Sequence, residues 1–116
     1  MTPAAQQLDQ VFFALSDGTR RAILARLAEG ATTIGDLSRP FPISAPAISK
    51  HMKILERAGL IERQVDGRQH YCSLSTNGLK SAEDWLNFHR IFWESRLDAL
   101  EDLIQRHKDN QREKAE

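Results

Sequence analysis

Pro46, Ser49, Lys50 and Lys53 follow the i, i+3, i+4, i+7 spacing that sets side chains on one face of a helix. That face is small at its start and cationic further along. Small residues let a helix N-terminus approach base edges in a major groove, and Ser and Lys donate to bases or phosphates. Ser44 and Ala45 open the same stretch, whose first-turn N–H groups add donors for a phosphate. Ile48, His51, Met52, Leu55 and Ala58 form the opposite, mostly apolar face. Arg68 and Gln69 follow an Asp66-Gly67 pair, and an Arg beside a hairpin tip can contact phosphates or enter a minor groove. The DNA-binding candidates are therefore Ser44, Ala45, Pro46, Ser49, Lys50, Lys53, Arg68 and Gln69. Taken singly, a lysine on a wet helix face is usually a solvated lysine, and Asp-Gly hairpins are common. The order and spacing of the parts carry the specificity.

These residues need elements to hold them. Leu8, Val11, Phe12 and Leu15 recur at helical spacing, which predicts a first helix over about 4–15. Ser16-Asp17-Gly18 breaks it. Thr19 is the expected cap of a second helix with Ile23, Leu24 and Leu27 as its stripe, stopped by Gly30. Thr33 caps a short helix through Ile34 and Leu37 that must end near Pro40. Ser44 caps the helix described above, with Pro46 in its first turn and Gly59 at its end. Residues 60–65 read as a strand, Asp66-Gly67 as a hairpin turn and 69–74 as the returning strand. Ser75 or Thr76 caps a last helix running to about His107. The predicted order is α-α-α-α-β-β-α, mainly α with a small β-hairpin. Residues 1–108 form one DNA-binding and dimerisation domain, and 109–116 a charged, frayed tail.

The 116 residues suit one domain with a modest core, and the net charge is zero. The charge is unevenly spread. Residues 39–70 hold six basic and three acidic side chains, and residues 80–102 the reverse. Cys72 is the sole cysteine, so no intrachain disulfide forms. It reads as a small hydrophobe on a strand face, with a redox-sensing thiol as the alternative. No secretory signal is read in residues 1–10 and no membrane-length apolar run anywhere, so the expectation is a cytoplasmic protein with no membrane partner. A glycine-rich phosphate loop, a usefully spaced Cys/His pair and a carboxylate pair are all missing, which argues against an enzyme.

The last helix is apolar on more than one side. Leu79, Ala82, Leu86, Trp93, Leu97, Leu100, Leu103 and Ile104 make one stripe, widened by Trp85, Phe88, Ile91 and Phe92. A helix of that kind is buried by more than one neighbour. A second copy of the chain is the simplest cover, with Leu8, Val11, Phe12, Leu86, Trp93, Leu97, Leu100 and Ile104 as its interface. Two alternatives remain open: completion of the monomer core, or a pocket for a small hydrophobic effector among Trp85, Phe88, Phe92 and Trp93.

Three stretches together resemble the ArsR/SmtB family of winged helix-turn-helix regulators. Residues 14–24, Ala-Leu-Ser-Asp-Gly-Thr-Arg-Arg-Ala-Ile-Leu, are similar to its LxDxTRxxIL opening. Residues 44–61 are similar to its recognition helix, SxxxxSxHLxxLxxAGLV, and residues 66–71, Asp-Gly-Arg-Gln-His-Tyr, to its xGRxxY wing. The resemblance spans about residues 8–74. It implies a homodimeric repressor acting on a palindromic operator near its own promoter, released by a signal. A winged helix used only for protein contacts is the alternative, although there the recognition face usually turns apolar or acidic.

The chain departs from the family's metal sensors. Thr33 and Gly35 stand where those members carry thiolates, and neither replaces one. On the last helix Asp84, His89, Glu94 and His107 are the possible ligands, but His89 and Glu94 are off the spacing that shares a face. No metal and no cofactor are expected. His51 reads as a satisfied, partly buried side chain. Arg20 and Arg21 either reach phosphate or pair with Asp17 or Asp36.

Overall fold

The computed structural model describes residues 2–115, so Met1 and Glu116, the outer ends of the two segments drawn from sequence, lie outside the described residues. The elements are α1 (Pro3–Leu15), α2 (Gly18–Leu27), β1 (Thr32–Thr33), α3 (Ile34–Ser38), α4 (Ala45–Arg57), β2 (Ile61–Asp66), β3 (Gln69–Leu74) and α5 (Asn77–Ala115). The three strands form one antiparallel sheet in the order β1-β3-β2. This is a winged helix-turn-helix: α3, a turn, α4, and the β2–β3 hairpin as the wing.

Helices α1 to α4 each start on a residue whose side-chain oxygen takes an otherwise orphaned N–H. Thr2 caps α1 by accepting from Ala5 N, with Pro3 in the first turn, where its missing N–H costs nothing. Thr33 caps α3 by accepting from Asp36 N, and Ser44 caps α4 by accepting from Ala47 N at 3.3 Å. The cap of α2 is Asp17 rather than Thr19. Its backbone is extended and its carboxylate accepts from Arg20 N at 3.1 Å, so Gly18 and Thr19 are already helical.

β1 adds a strand to the order expected from sequence. Thr32 pairs with Cys72 and Thr33 with Tyr71. Two residues are too few to show an alternating pattern, and Thr33 serves at once as strand end and helix cap. The wing turn also moves by one residue. Asp66 pairs with Gln69, leaving Gly67-Arg68 as the two-residue loop. Gly67 has φ +64° and Arg68 has no positive φ, the combination of a type II′ turn with glycine first. Arg68 thus sits at the tip of the wing.

The described chain divides into two compact units, residues 1–83 and 84–116. The core of the first is a single cluster. Val11 and Ala14 of α1, Ile23 and Leu27 of α2, Leu37 of α3, and Ile48, Met52 and Leu55 of α4 are buried with Cys72 of β3. The second unit is the greater part of α5. Its apolar residues are exposed, Trp93 to 68 % and Ile91 to 68 %. The helix continues past His107 through the segment whose charge suggested a frayed tail. Gln105 donates to Asp109 at 3.1 Å, and Gln111 and His107 lie 3.1 Å apart, both at i, i+4 spacing. Such pairs support a helix whose residues are mostly good helix formers.

Helix α4 ends in a Schellman motif. Leu60 N donates to Leu55 O and Gly59 N to Glu56 O, with Gly59 at φ +74°. The chain then meets the start of α5. Gly78 N donates to Gly59 O at 2.9 Å, and a Cβ on Gly78 would lie 2.1 Å from Ala58 O. Only glycine permits this approach, because the obstructing atom is backbone. Gly78→Ala is therefore expected to cost about 2 kcal/mol or more in urea unfolding, the scale of an overpacked core. An unchanged midpoint would mean that the two backbones separate freely.

Candidate nucleic-acid interface

Helix α4 is split as its spacing requires. Ile48, Met52 and Leu55 are fully buried, and Ser44, Ala45, Pro46, Ser49, Lys50 and Lys53 are exposed. Arg68 and Gln69 are exposed on the wing. The cations of this region differ in their partners. Arg39 pairs with Asp36 at 3.3 Å, and Arg63 with Glu56 at 2.7 Å. Lys50, Lys53 and Arg68 enter no ion pair among the described residues. Their charge is available to an anionic partner. The Arg63–Glu56 pair is itself useful: it joins β2 of the wing to the C-terminal turn of α4, with both side chains mostly shielded.

What fixes α4 in place is a residue that sequence spacing could not assign. Arg20 is 6 % exposed. Its Nε donates to Ala14 O at 2.8 Å and its Nη2 to Phe13 O at 2.9 Å, so it closes the C-terminal carbonyls of α1. Its Nη1 lies 3.3 Å from His51 Nδ1 on α4, and its guanidinium carbon 5.0 Å from the centre of the Phe13 ring. A guanidinium only donates, so His51 Nδ1 is the acceptor. Arg20 is therefore not free for phosphate, and its partners are carbonyls and a ring rather than Asp36. Arg21 donates to Leu15 O at 2.7 Å. His51 is partly buried and partnered, as its place on the inner face suggested.

The Arg20 N–H holds the Asp17 carboxyl below its ordinary value of 3.8, opposed by desolvation and helped to a lesser degree by the Arg20 and His51 charges. Burial pushes the Cys72 thiol above its ordinary value, with Arg63 partly opposing. Burial and a raised pKa both keep the thiol short of the reactive thiolate form. Among the described residues no three His, Cys, Asp or Glu side chains gather where they could hold a metal ion, and no helix is long and apolar enough to cross a membrane.

The interface residues expected for a second copy fall unevenly. Phe12, Leu86, Trp93, Leu97, Leu100 and Ile104 are exposed and Leu8 is half-buried. Val11 is a correction: it is wholly buried in the chain's own core and has no surface to offer. It shares a helical stripe with Leu8, and sequence could not tell the inward from the outward edge of that stripe. The aromatic side chains of Trp85, Phe88, Phe92 and Trp93 are exposed along α5, and Phe92 and Trp93 line an open depression with Arg96.

The helix-turn-helix domain family matches residues 15–64, the span from the end of α1 to the middle of the first wing strand. The HTH-type transcriptional regulator Rv2034 of Mycobacterium tuberculosis is 38% identical over 96 residues, covering 83% of this chain and 87% of that protein. The chain belongs to the ArsR-type helix-turn-helix transcriptional regulators. The transcriptional repressor SdpR of Bacillus subtilis is 44% identical over 82 residues, 70% of this chain and 91% of that one. Among solved structures, an ArsR-like transcriptional regulator from Rhodococcus superposes with a TM-score of 0.74 at 30% identity, covering 88% of this chain and 96% of that one. The span matched by the domain family holds Arg20, all of α4 and the start of the wing.

Two outcomes follow for the ArsR-type scaffold around α4. Arg20→Met keeps bulk but leaves Ala14 O without its side-chain donor, and should cost about 2 kcal/mol in denaturant unfolding, the scale of one unsatisfied buried acceptor. A midpoint equal to wild type would remove Arg20 from the account. Asp17 has a lowered folded-state pKa, so its contribution to stability is complete above the ordinary value of 3.8 and is lost as pH falls through the lower native value. Asp17→Asn should therefore show a shallower loss of stability in acid titration below pH 3.8. Parallel titrations of the two proteins would show that the carboxylate is not engaged.

Proposed function

We propose that this regulator is a homodimeric repressor that binds duplex DNA, with α4 in the major groove and the wing against the adjacent backbone or minor groove. The observation that carries the reading is the outer face of α4: Pro46 and Ser49 small at the groove end, Lys50 and Lys53 exposed without ion-pair partners among the described residues. Ser44 and Ala45 would present first-turn N–H groups to a phosphate, and Ser49 would read at close approach. Lys50 and Lys53 would carry phosphate contacts and part of the base readout, with Arg68 and Gln69 on the wing. Residues 1–108 would act together in binding and dimerisation. The reading includes a palindromic operator near the protein's own promoter, a cytoplasmic setting, no catalytic step and a small-molecule effector. Transcriptional regulators as a class do not need catalysis, and repression is the activity in the name of SdpR.

Dimerisation is supported by the exposed apolar residues Leu86, Trp93, Leu97, Leu100 and Ile104 on α5, with Leu8 and Phe12 of α1 as a proposed second part of the interface. Apolar surface of this extent is ordinarily covered in solution. Two-fold symmetry would then set two α4 helices about 34 Å apart, one turn of duplex.

The test is fluorescence anisotropy on the DNA upstream of the protein's own coding sequence, against a scrambled duplex, over a range of salt. Wild type should bind specifically with a steep salt slope. Lys53→Ala should bind less tightly and lower the slope by about one, the share of one phosphate contact. Equal affinity and slope would exclude Lys53 from the interface. Absence of binding to both duplexes would favour a winged helix serving a protein partner. Separately, Leu97→Glu should shift the sedimentation coefficient from dimer to monomer and weaken operator binding at least tenfold. A Leu97→Glu protein that remains dimeric would remove α5 from the interface.

A further inference from the structure

The first unit contains a partly enclosed apolar cavity of about 240 Å³. Five leucines wall it: Leu15 at the end of α1, Leu24 of α2, Leu60 after the cap of α4, Leu74 at the end of β3 and Leu79 in the first turn of α5. The polar groups of the lining come from Ser75 and Thr76, and no charged residue lines it. Ser75 Oγ accepts from Asn77 N at 3.4 Å and so keeps its own proton to donate. The geometry points to a binding site for a small uncharged amphiphile, an apolar body among the leucines with an acceptor oxygen at the Ser75–Thr76 edge, and to that site as the place where an effector acts.

The volume and chemistry select this class of ligand. A leucine-lined protein cavity of about 150 Å³ stays dry and takes up benzene. This one is larger, so a substituted ring or a short alkyl chain fits it. An anion or a cation would lose its water without gaining a counter-charge. The two hydroxyls favour a ligand that bears an alcohol or carbonyl oxygen over a pure hydrocarbon.

The position of the cavity supplies the coupling. Leu60 immediately follows Gly59, and Leu79 immediately follows Gly78, and these two glycines are joined by the 2.9 Å bond from Gly78 N to Gly59 O. An occupant that spreads Leu60 from Leu79 therefore works directly on the joint between the end of α4 and the root of α5. A ligand alters DNA affinity only as far as it prefers one arrangement of that joint. The effector role rests on the DNA-binding reading above; occupancy of the cavity does not.

The experiment uses the full chain with leucine methyls labelled for NMR, titrated with toluene, benzyl alcohol and benzoate, followed by operator binding with and without saturating benzyl alcohol. Benzyl alcohol should give saturable shifts at the methyls of these five leucines, with at least threefold tighter binding than toluene, and benzoate should give none. Thr76→Val should reduce the preference for the alcohol. Leu79→Trp, which fills the space from an exposed position, should abolish the shifts, and Leu24→Phe is the second filling variant should the first not fold. Operator affinity should change at least threefold with benzyl alcohol in wild type and not in Leu79→Trp. Lack of saturable shifts at these methyls, or shifts confined to residues 85–93, overturns the site. Saturable shifts with unchanged operator affinity overturn the effector role. Failure of the ligand-free protein to bind any duplex overturns the DNA-binding reading and leaves the site standing on the methyl shifts.

Discussion

A buried guanidinium must find acceptors or the fold loses several kcal/mol, and much of this structure is arranged around that requirement at Arg20. The side chain starts on α2, takes the last carbonyls of α1 and reaches His51 on α4. Its own backbone N–H is held by Asp17, the residue that begins α2. One side chain thus fixes three helices, and with them the direction of the outer face of α4. Lys50 and Lys53 can be long and unpaired because nothing about their placement depends on their own contacts.

The other end of α4 is held by different means. There the chain uses backbone: a Schellman cap, a left-handed Gly59, and Gly78 pressed against Ala58 O. The Glu56–Arg63 pair then ties the wing to the same turn. Partial shielding strengthens that pair relative to an exposed one, although its net worth to stability is small beside its geometric effect. The recognition helix is therefore clamped at its inner face by a cation and at its C-terminus by two glycines. Its N-terminal half, which carries Ser44, Pro46 and Ser49, is left clear.

Much of this was legible in the sequence because the relevant signals are local. The caps at Thr33 and Ser44, the stripe of Ile48, Met52 and Leu55, and the existence of the hairpin, though its turn was read one residue early, each follow from a few adjacent residues. What escaped depends on long-range contacts. The two-residue β1 exists because β3 lies beside it, and Arg20 is a clamp only because His51 arrives from α4. Gly78 looked like an ordinary helix residue, and its necessity comes from Ala58 O. Val11 and Leu8 share a stripe, yet the core takes Val11 entirely. The leucine cavity draws on four separate elements and two of the junctions between elements, so no window of sequence could outline it.

The central claim is that the outer face of α4 and the wing tip meet DNA. Hydrogen–deuterium exchange of the full chain, alone and with its upstream duplex, tests it most directly. The account predicts slowed exchange over residues 44–53 and 67–69 with duplex present, reversed by high salt. Protection that bypasses both segments, with the duplex nevertheless bound, would contradict it.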